Sequence, residues 1–154
     1  MKPLETTVEE VLRNAIQSEI ETRLYYQKMA ERAASPEVRE RMLQLADAEL
    51  VHRAKMERKY REVVKQEPPP PQPATVELDA EIRDLDMTRA LKLSLERERD
   101  SESHFRFMAE RAPVDSVLAN LFFELADLEW KHKTDLQREY ESTMNDPEQF
   151  LRDM

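Results

Sequence analysis

The sequence predicts an all-α chain, a four-helix bundle made of two repeated antiparallel hairpins. Three observations support this fold class. The 154 residues include no glycine, which a sheet protein of this size normally needs at hairpins and bulges. Charged residues make up 37% and apolar residues 40%, a mixture typical of long amphipathic helices. Four long segments also place apolar residues three and four positions apart, which is the period of a helix face.

The first hairpin is predicted at about residues 6–66. Thr7 and Glu10 form a T-x-x-E capping box, so a first helix is expected from Thr7 to about residue 34. Ser35 and Pro36 suit the N-cap and first helical positions of a second helix that continues to about residue 66. The short connection at Ser35 makes these two helices antiparallel neighbours.

The second hairpin is predicted at about residues 86–144. Its first helix begins near Asp86 and ends near Ala112, and its second follows Asp115 and Ser116. Residues 146–154 begin with Asp-Pro-Glu-Gln and predict a short terminal helix. Between the hairpins, residues 67–85 open with a proline-rich run that cannot be helical and predicts a semi-rigid polyproline II crossover. The length of the chain predicts that residues 1–154 form a single domain.

The two predicted hairpins are copies of one pattern. Residues 45–52 match residues 125–132 at an offset of 80, and residues 29–33 match residues 108–112 at an offset of 79. An internal repeat of this kind indicates a pseudo-two-fold axis between the copies.

Acidic residues interrupt the apolar face of every predicted helix near its middle. These residues are Glu19, Glu49, Glu98 and Glu129, and His52 and His132 follow the second and fourth of them by three positions. Facing carboxylates in an apolar core repel one another and are costly to desolvate, and no Arg or Lys lies at the central positions of these faces. Two metal ions would neutralise the carboxylates and use both imidazoles as ligands.

The spacing also fits a metal site, because Glu and His at i, i+3 lie on one helix face and can reach the same ion. A lone E-x-x-H is weak evidence, since 33 of the 154 residues are acidic. Its recurrence at equivalent positions of a repeat, opposite a Glu on each partner helix, is a strong signal. Carboxylate and imidazole ligands favour iron, with manganese or a mixed pair as the alternative, over calcium or thiolate-bound zinc.

With these motifs the chain resembles the ferritin-like superfamily, and most closely its rubrerythrin-type members. The resemblance extends over nearly the whole chain and includes the spacings Glu19-x6-Tyr26 and Glu98-x6-Phe105. It implies two bridging carboxylates, two terminal carboxylates and one histidine for each ion. The implied bridging ligands are Glu49 and Glu129, the terminal ligands are Glu19 and Glu98, and the histidines are His52 and His132.

Tyr26 is a further candidate for the catalytic site, as a hydrogen-bond donor to a ligand or as a redox-active phenol. Its repeat counterpart is Phe105, so core packing is an equal alternative. The chain departs from the rubrerythrin pattern in two respects. It has no cysteine, so it lacks the rubredoxin domain, and Ser101 stands where an additional carboxylate ligand is common.

Three functions remain open at this point. The first is a rubrerythrin-type di-iron oxidoreductase that reduces peroxide or O₂ with electrons from an external donor. The second is a ferroxidase or iron-handling protein whose substrate is Fe(II). The third is a non-enzymatic helical interaction module in which the metals only stabilise the helices.

Composition bears on the partners and the location. A net charge of −9 argues against nucleic acid and anionic membranes as partners. No apolar run approaches the roughly 18 residues of a membrane span, and no signal-peptide pattern begins the chain. We therefore expect a cytoplasmic protein. We also expect a homodimer, in which the proline-rich crossover would permit exchange of hairpins between chains.

Overall fold

The computed structural model describes residues 7–145, and this range contains four α-helices and no β-strand. The helices are α1 (Val8–Glu31), α2 (Pro36–Val64), α3 (Met87–Arg111) and α4 (Val117–Met144). α1 packs against α2, and α3 packs against α4. The prediction of an all-α fold with four helices in two hairpins is therefore confirmed. The terminal helix predicted at residues 146–154 lies outside the described residues.

The helices begin at the capping residues that the sequence predicts. At each N-cap, a side-chain oxygen accepts a hydrogen bond from the backbone N–H three residues later, which satisfies a donor that has no partner inside the helix. The N-caps are Thr7, Ser35, Asp86 and Ser116, with donor–acceptor distances of 3.1, 3.3, 2.8 and 3.0 Å. α1 and α2 end two or three residues earlier than predicted, which is the usual uncertainty at a fraying terminus.

Among residues 7–145, three take the left-handed backbone conformation that glycine usually supplies. Lys65 closes α2 with φ of 65°, Asp84 lies in the crossover with φ of 50°, and Asp115 precedes α4 with φ of 58°. Asp tolerates this region better than most residues because its short polar side chain can bond the local backbone. The chain thus makes its turns without glycine.

Within the described residues, one compact unit comprises hairpin 1 and the crossover and extends to residue 85. Gln17 on α1 donates to the carbonyl of Gln72 (3.0 Å) and accepts from its N–H (3.1 Å). At the end of α1, Arg32 donates to the carbonyls of Asp79 (2.6 Å) and Ile82 (2.8 Å). These contacts lie 15 residues apart, or about 22 Å along a helix, so the crossover follows much of the length of α1.

The core of hairpin 1 follows the predicted apolar faces of α1 and α2. Its most deeply buried apolar side chains are Leu12, Tyr26, Met29 and Met42. Extending the three-four spacing of α2 from Glu49 through Met56 predicts that Val63 is buried, but Val63 is 40% exposed and Tyr60 is buried instead. An α-helix has about 3.6 residues per turn, whereas alternating steps of three and four residues average about 3.5. A face that is extrapolated from this alternation therefore drifts around a helix of this length.

The other compact unit contains hairpin 2, formed by α3 and α4. Leu91, Phe122, Leu125 and Leu136 are buried on the predicted faces, and Leu95, which the predicted face of α3 does not include, is buried as well. Within the described residues, no helix combines the length and the apolar character needed to cross a membrane.

Candidate metal centre

Hairpin 1 brings three predicted ligands together. Glu19 projects from α1, and Glu49 and His52 project from α2 one turn apart. The Nδ1 atom of His52 lies 3.2 Å from a Glu49 carboxylate oxygen and 3.7 Å from a Glu19 carboxylate oxygen. Glu49 is buried, and the other two side chains are less than one-fifth exposed. We call this group triad 1.

Hairpin 2 repeats the arrangement with Glu98 from α3 and with Glu129 and His132 from α4. The Nδ1 atom of His132 lies 3.8 Å from a Glu98 oxygen and 3.7 Å from a Glu129 oxygen. Both carboxylates are buried, and the histidine side chain is 23% exposed. We call this group triad 2. The six residues predicted from the sequence therefore form two groups of three, one in each hairpin.

The donor atoms of each triad have the spacing that a single metal ion requires. One atom from each residue of a triad lies within 4.8 Å of the others. Ligand atoms bound at about 2.1 Å from one ion are separated by roughly 3–4 Å, so only small rotations would close each triad around a cation. Two carboxylates and one imidazole also provide the oxygen and nitrogen ligands that suit iron or manganese. The residues present therefore fit a divalent metal ion in each hairpin.

Triad 2 has a marked effect on the protonation of its histidine. Burial favours the neutral imidazole, but the Glu129 and Glu98 carboxylates outweigh it and raise the pKa of His132 to about 10. Without a metal, His132 is therefore charged at neutral pH and partly balances the two buried carboxylates. A cation that binds at triad 2 must displace this proton.

A second group of charged residues, which was not predicted from the sequence, adjoins triad 2. Glu102 lies one turn after Glu98, is buried, and accepts from Lys133 (2.6 Å) and Arg106 (3.0 Å). Arg106 also reaches the exposed Asp127 at 3.4 Å. Burial raises the pKa of Glu102, but the hydrogen bonds from Lys133 and Arg106 outweigh this effect and lower it overall. The i, i+4 spacing of Glu102 and Arg106 was a signal for part of this network.

Tyr26 lies in the core of hairpin 1 with none of its surface exposed. It is two turns after Glu19 on α1, and its ring meets the ring of Tyr25 edge to face, with centroids 5.7 Å apart. Tyr26 is thus buried on the ligand-bearing helix, and its catalytic role stays a prediction.

Comparison with known protein families bears on the metal-binding interpretation of the two triads. Neither a search of curated proteins nor a search of solved structures gives a significant match. The family model described as Rubrerythrin, however, matches residues 10–140, a range that covers most of every helix and both triads. The chain belongs to the rubrerythrin family.

Proposed function

We propose that the chain is a di-iron carboxylate oxidoreductase of the rubrerythrin type, which reduces peroxide or O₂ with electrons from an external donor. The observation that supports this proposal most directly is the pair of triads, at equivalent positions of an internal repeat and within a rubrerythrin-family domain. Each triad would hold one iron ion. Bound iron would supply the change of oxidation state that none of these side chains can supply.

The side chains of each triad have distinct tasks in this proposal. The carboxylates would neutralise the iron, and Glu49, Glu98 and Glu129 are buried enough to do so with little competition from water. The imidazoles would each provide one nitrogen ligand after losing any proton they carry. Glu19 on α1 and Glu98 on α3 are each followed, three residues later, by a residue with a hydroxyl group. These residues are Thr22 and Ser101, which occupy equivalent positions on the ligand-bearing faces.

Anaerobic loading with Fe(II), followed by stopped-flow absorbance, tests the proposal. After loading with two Fe(II) per chain, we expect hydrogen peroxide or O₂ to oxidise the iron, and an added reductant to return it to the ferrous state through repeated cycles. Continued oxidation of excess Fe(II) by O₂, without reductant, would instead indicate a ferroxidase. Iron that binds but reacts with neither oxidant would contradict both activities. It would support the third function, in which the metals only stabilise the helices.

A further inference from the structure

Two adjacent tyrosines connect the interior of hairpin 1 with its surface. Tyr26 is wholly buried, whereas Tyr25 is partly exposed. Their ring planes are inclined at 65° with centroids 5.7 Å apart, which is an edge-to-face contact. An electron that moves between these two phenols crosses only one ring-to-ring contact.

The buried tyrosine is also the one placed on the side of triad 1. Tyr26 follows Glu19 by seven residues, so the two lie on the same face of α1 at about 10 Å along the axis. Side chains on a helix lean toward its N-terminus, and for Tyr26 this direction is toward Glu19. The tyrosine pair therefore begins near the proposed iron ligands and ends at the surface.

The internal repeat shows that packing alone does not require phenols here. Hairpin 2 has His104 and Phe105 at the equivalent positions, with centroids 5.6 Å apart and planes inclined at 58°. The same ring geometry is thus built in hairpin 2 without any phenolic O–H group. Only hairpin 1 combines this geometry with two side chains that can each give up one electron and one proton.

We propose that Tyr26 and Tyr25 form a one-electron relay between triad 1 and the surface of hairpin 1; this inference rests on the proposed function. Reduction of hydrogen peroxide to two waters consumes two electrons and two protons. Tyr26 supplies one of these electrons together with its phenolic proton and becomes a neutral phenoxyl radical, and a second passage through the relay supplies the other electron and proton. Tyr25 then restores Tyr26 by passing on one electron and one proton. An external one-electron donor at the surface, with a proton from water, restores Tyr25.

The relay is tested first in the iron-loaded full-length chain, by freeze-quench EPR after hydrogen peroxide is added in the presence or absence of ascorbate. We expect a tyrosyl signal that ascorbate removes. Tyr26→Phe should abolish the signal. Tyr25→His should make it several-fold longer-lived with ascorbate, because the buried radical loses its connection to the surface. Both variants copy the residues of hairpin 2, and Tyr140→Phe serves as the control that leaves the signal unchanged. A radical that decays equally fast with ascorbate in the wild type and in Tyr25→His would overturn the relay.

A second experiment uses the metal-free chain, so that the relay and the proposed function can fail separately. A flash-generated ruthenium(III) trisbipyridine ion is too bulky to contact Tyr26 and oxidises surface side chains. We expect a tyrosyl radical on Tyr26 that is several-fold weaker in Tyr25→His and unchanged in Tyr140→Phe. Equal yields in the wild type and Tyr25→His would overturn the relay, whatever the iron-loaded chain does. Transfer in the metal-free chain, with iron that does not react with peroxide, would support the relay and contradict only the proposed function.

Discussion

Each triad consists of residues that are costly to bury and that become favourable together when a cation binds. Glu49 is the most buried member of triad 1, and its carboxylate lies closest to the histidine nitrogen. Removing the Glu49 carboxylate should therefore weaken metal binding at triad 1, in addition to any effect on the stability of the fold.

We predict that Glu49→Ala lowers the iron content of the purified chain below two ions, because triad 1 loses its most buried carboxylate, and a bridging Glu49 would also weaken binding of the second ion. Asp47→Ala is the matched control, since Asp47 is an exposed acid two residues earlier on the same helix. Iron content is measured by elemental analysis after gel filtration. A Glu49→Ala chain that retains two tightly bound ions would refute the assignment of Glu49 as a ligand.

The raised pKa of His132 predicts how the metal-free chain responds to pH. Folding raises this pKa from 6.5 to about 10, so the charged imidazole stabilises the fold fully below pH 6.5, and this contribution is lost as pH rises toward 10. Urea unfolding of the metal-free chain should show a stability difference between the wild type and His132→Gln that shrinks over this range. His104→Gln, at an exposed position on α3, is the control. A difference that stays constant with pH would contradict the prediction.

Glu102 makes the opposite prediction, because folding lowers the pKa of its carboxyl group. Its contribution to stability is present above the usual pKa of 4.5 and is lost as pH falls through the folded-state value. We expect Glu102→Gln to cost about 1–2 kcal/mol at pH 7, since it weakens the hydrogen bonds from Lys133 and Arg106. The cost should disappear in acid. Glu110→Gln, at an exposed position on the same helix, should have little effect, and an equal loss in both variants would count against this role.

At the scale of the helices and their connections, Arg32 holds the end of the crossover against the end of α1. Its guanidinium bonds two crossover carbonyls, and its own backbone carbonyl accepts from the N–H of Leu85. Leu85 is fully buried, so the end of the crossover belongs to the folded unit of hairpin 1.

We predict that Arg32→Ala lowers the free energy of unfolding by about 1–3 kcal/mol, because two carbonyls lose a charged donor. The crossover should also become more susceptible to limited proteolysis, with new cleavage sites between residues 73 and 85. Arg39→Ala, on the exposed surface of α2, is the control for loss of a guanidinium. Unchanged cleavage in Arg32→Ala would show that other contacts hold the crossover.

The helices and the ligands could be predicted from the sequence, but some contacts between helices could not. Caps, apolar spacing and the missing glycine predicted the helices to within a few residues, because these signals are local. The ligands could be predicted because the repeat presents Glu and His twice at equivalent positions. The network around Glu102 could not be predicted, because Lys133 lies on another helix, α4. The spacing of residues within α3 does not indicate which of its side chains face α4. Val63 shows the same limit, since a periodic pattern loses phase over a long helix.

For the whole molecule, the main observation is that each compact unit carries its own triad. A bound ion stabilises the folded form of the unit that holds it, by an amount that grows with its concentration relative to the dissociation constant. Iron should therefore protect each hairpin through its own ligands.

We predict that removing iron with a chelator increases amide hydrogen exchange in the middle of all four helices. In Glu129→Ala, the iron-dependent protection should be lost from α3 and α4 and largely retained in α1 and α2. Peptide-resolved hydrogen exchange by mass spectrometry measures both outcomes, with Asp47→Ala as the control. Equal loss of protection in all four helices of Glu129→Ala would contradict the separate stabilisation of the two units.

The repeated hairpin also has a consequence for the history of the chain. Each hairpin has its own caps, its own apolar core and its own two carboxylates and histidine, which is the arrangement that duplication of one ancestral unit would produce. Duplication of a gene for such a unit would have placed both copies on one polypeptide, with the proline-rich segment as the joint. The ligand residues are identical in the two copies while some of their neighbours differ, since Tyr26 on α1 corresponds to Phe105 on α3. Duplication would thus have allowed the two copies to keep the same ligands while the residues around them changed independently.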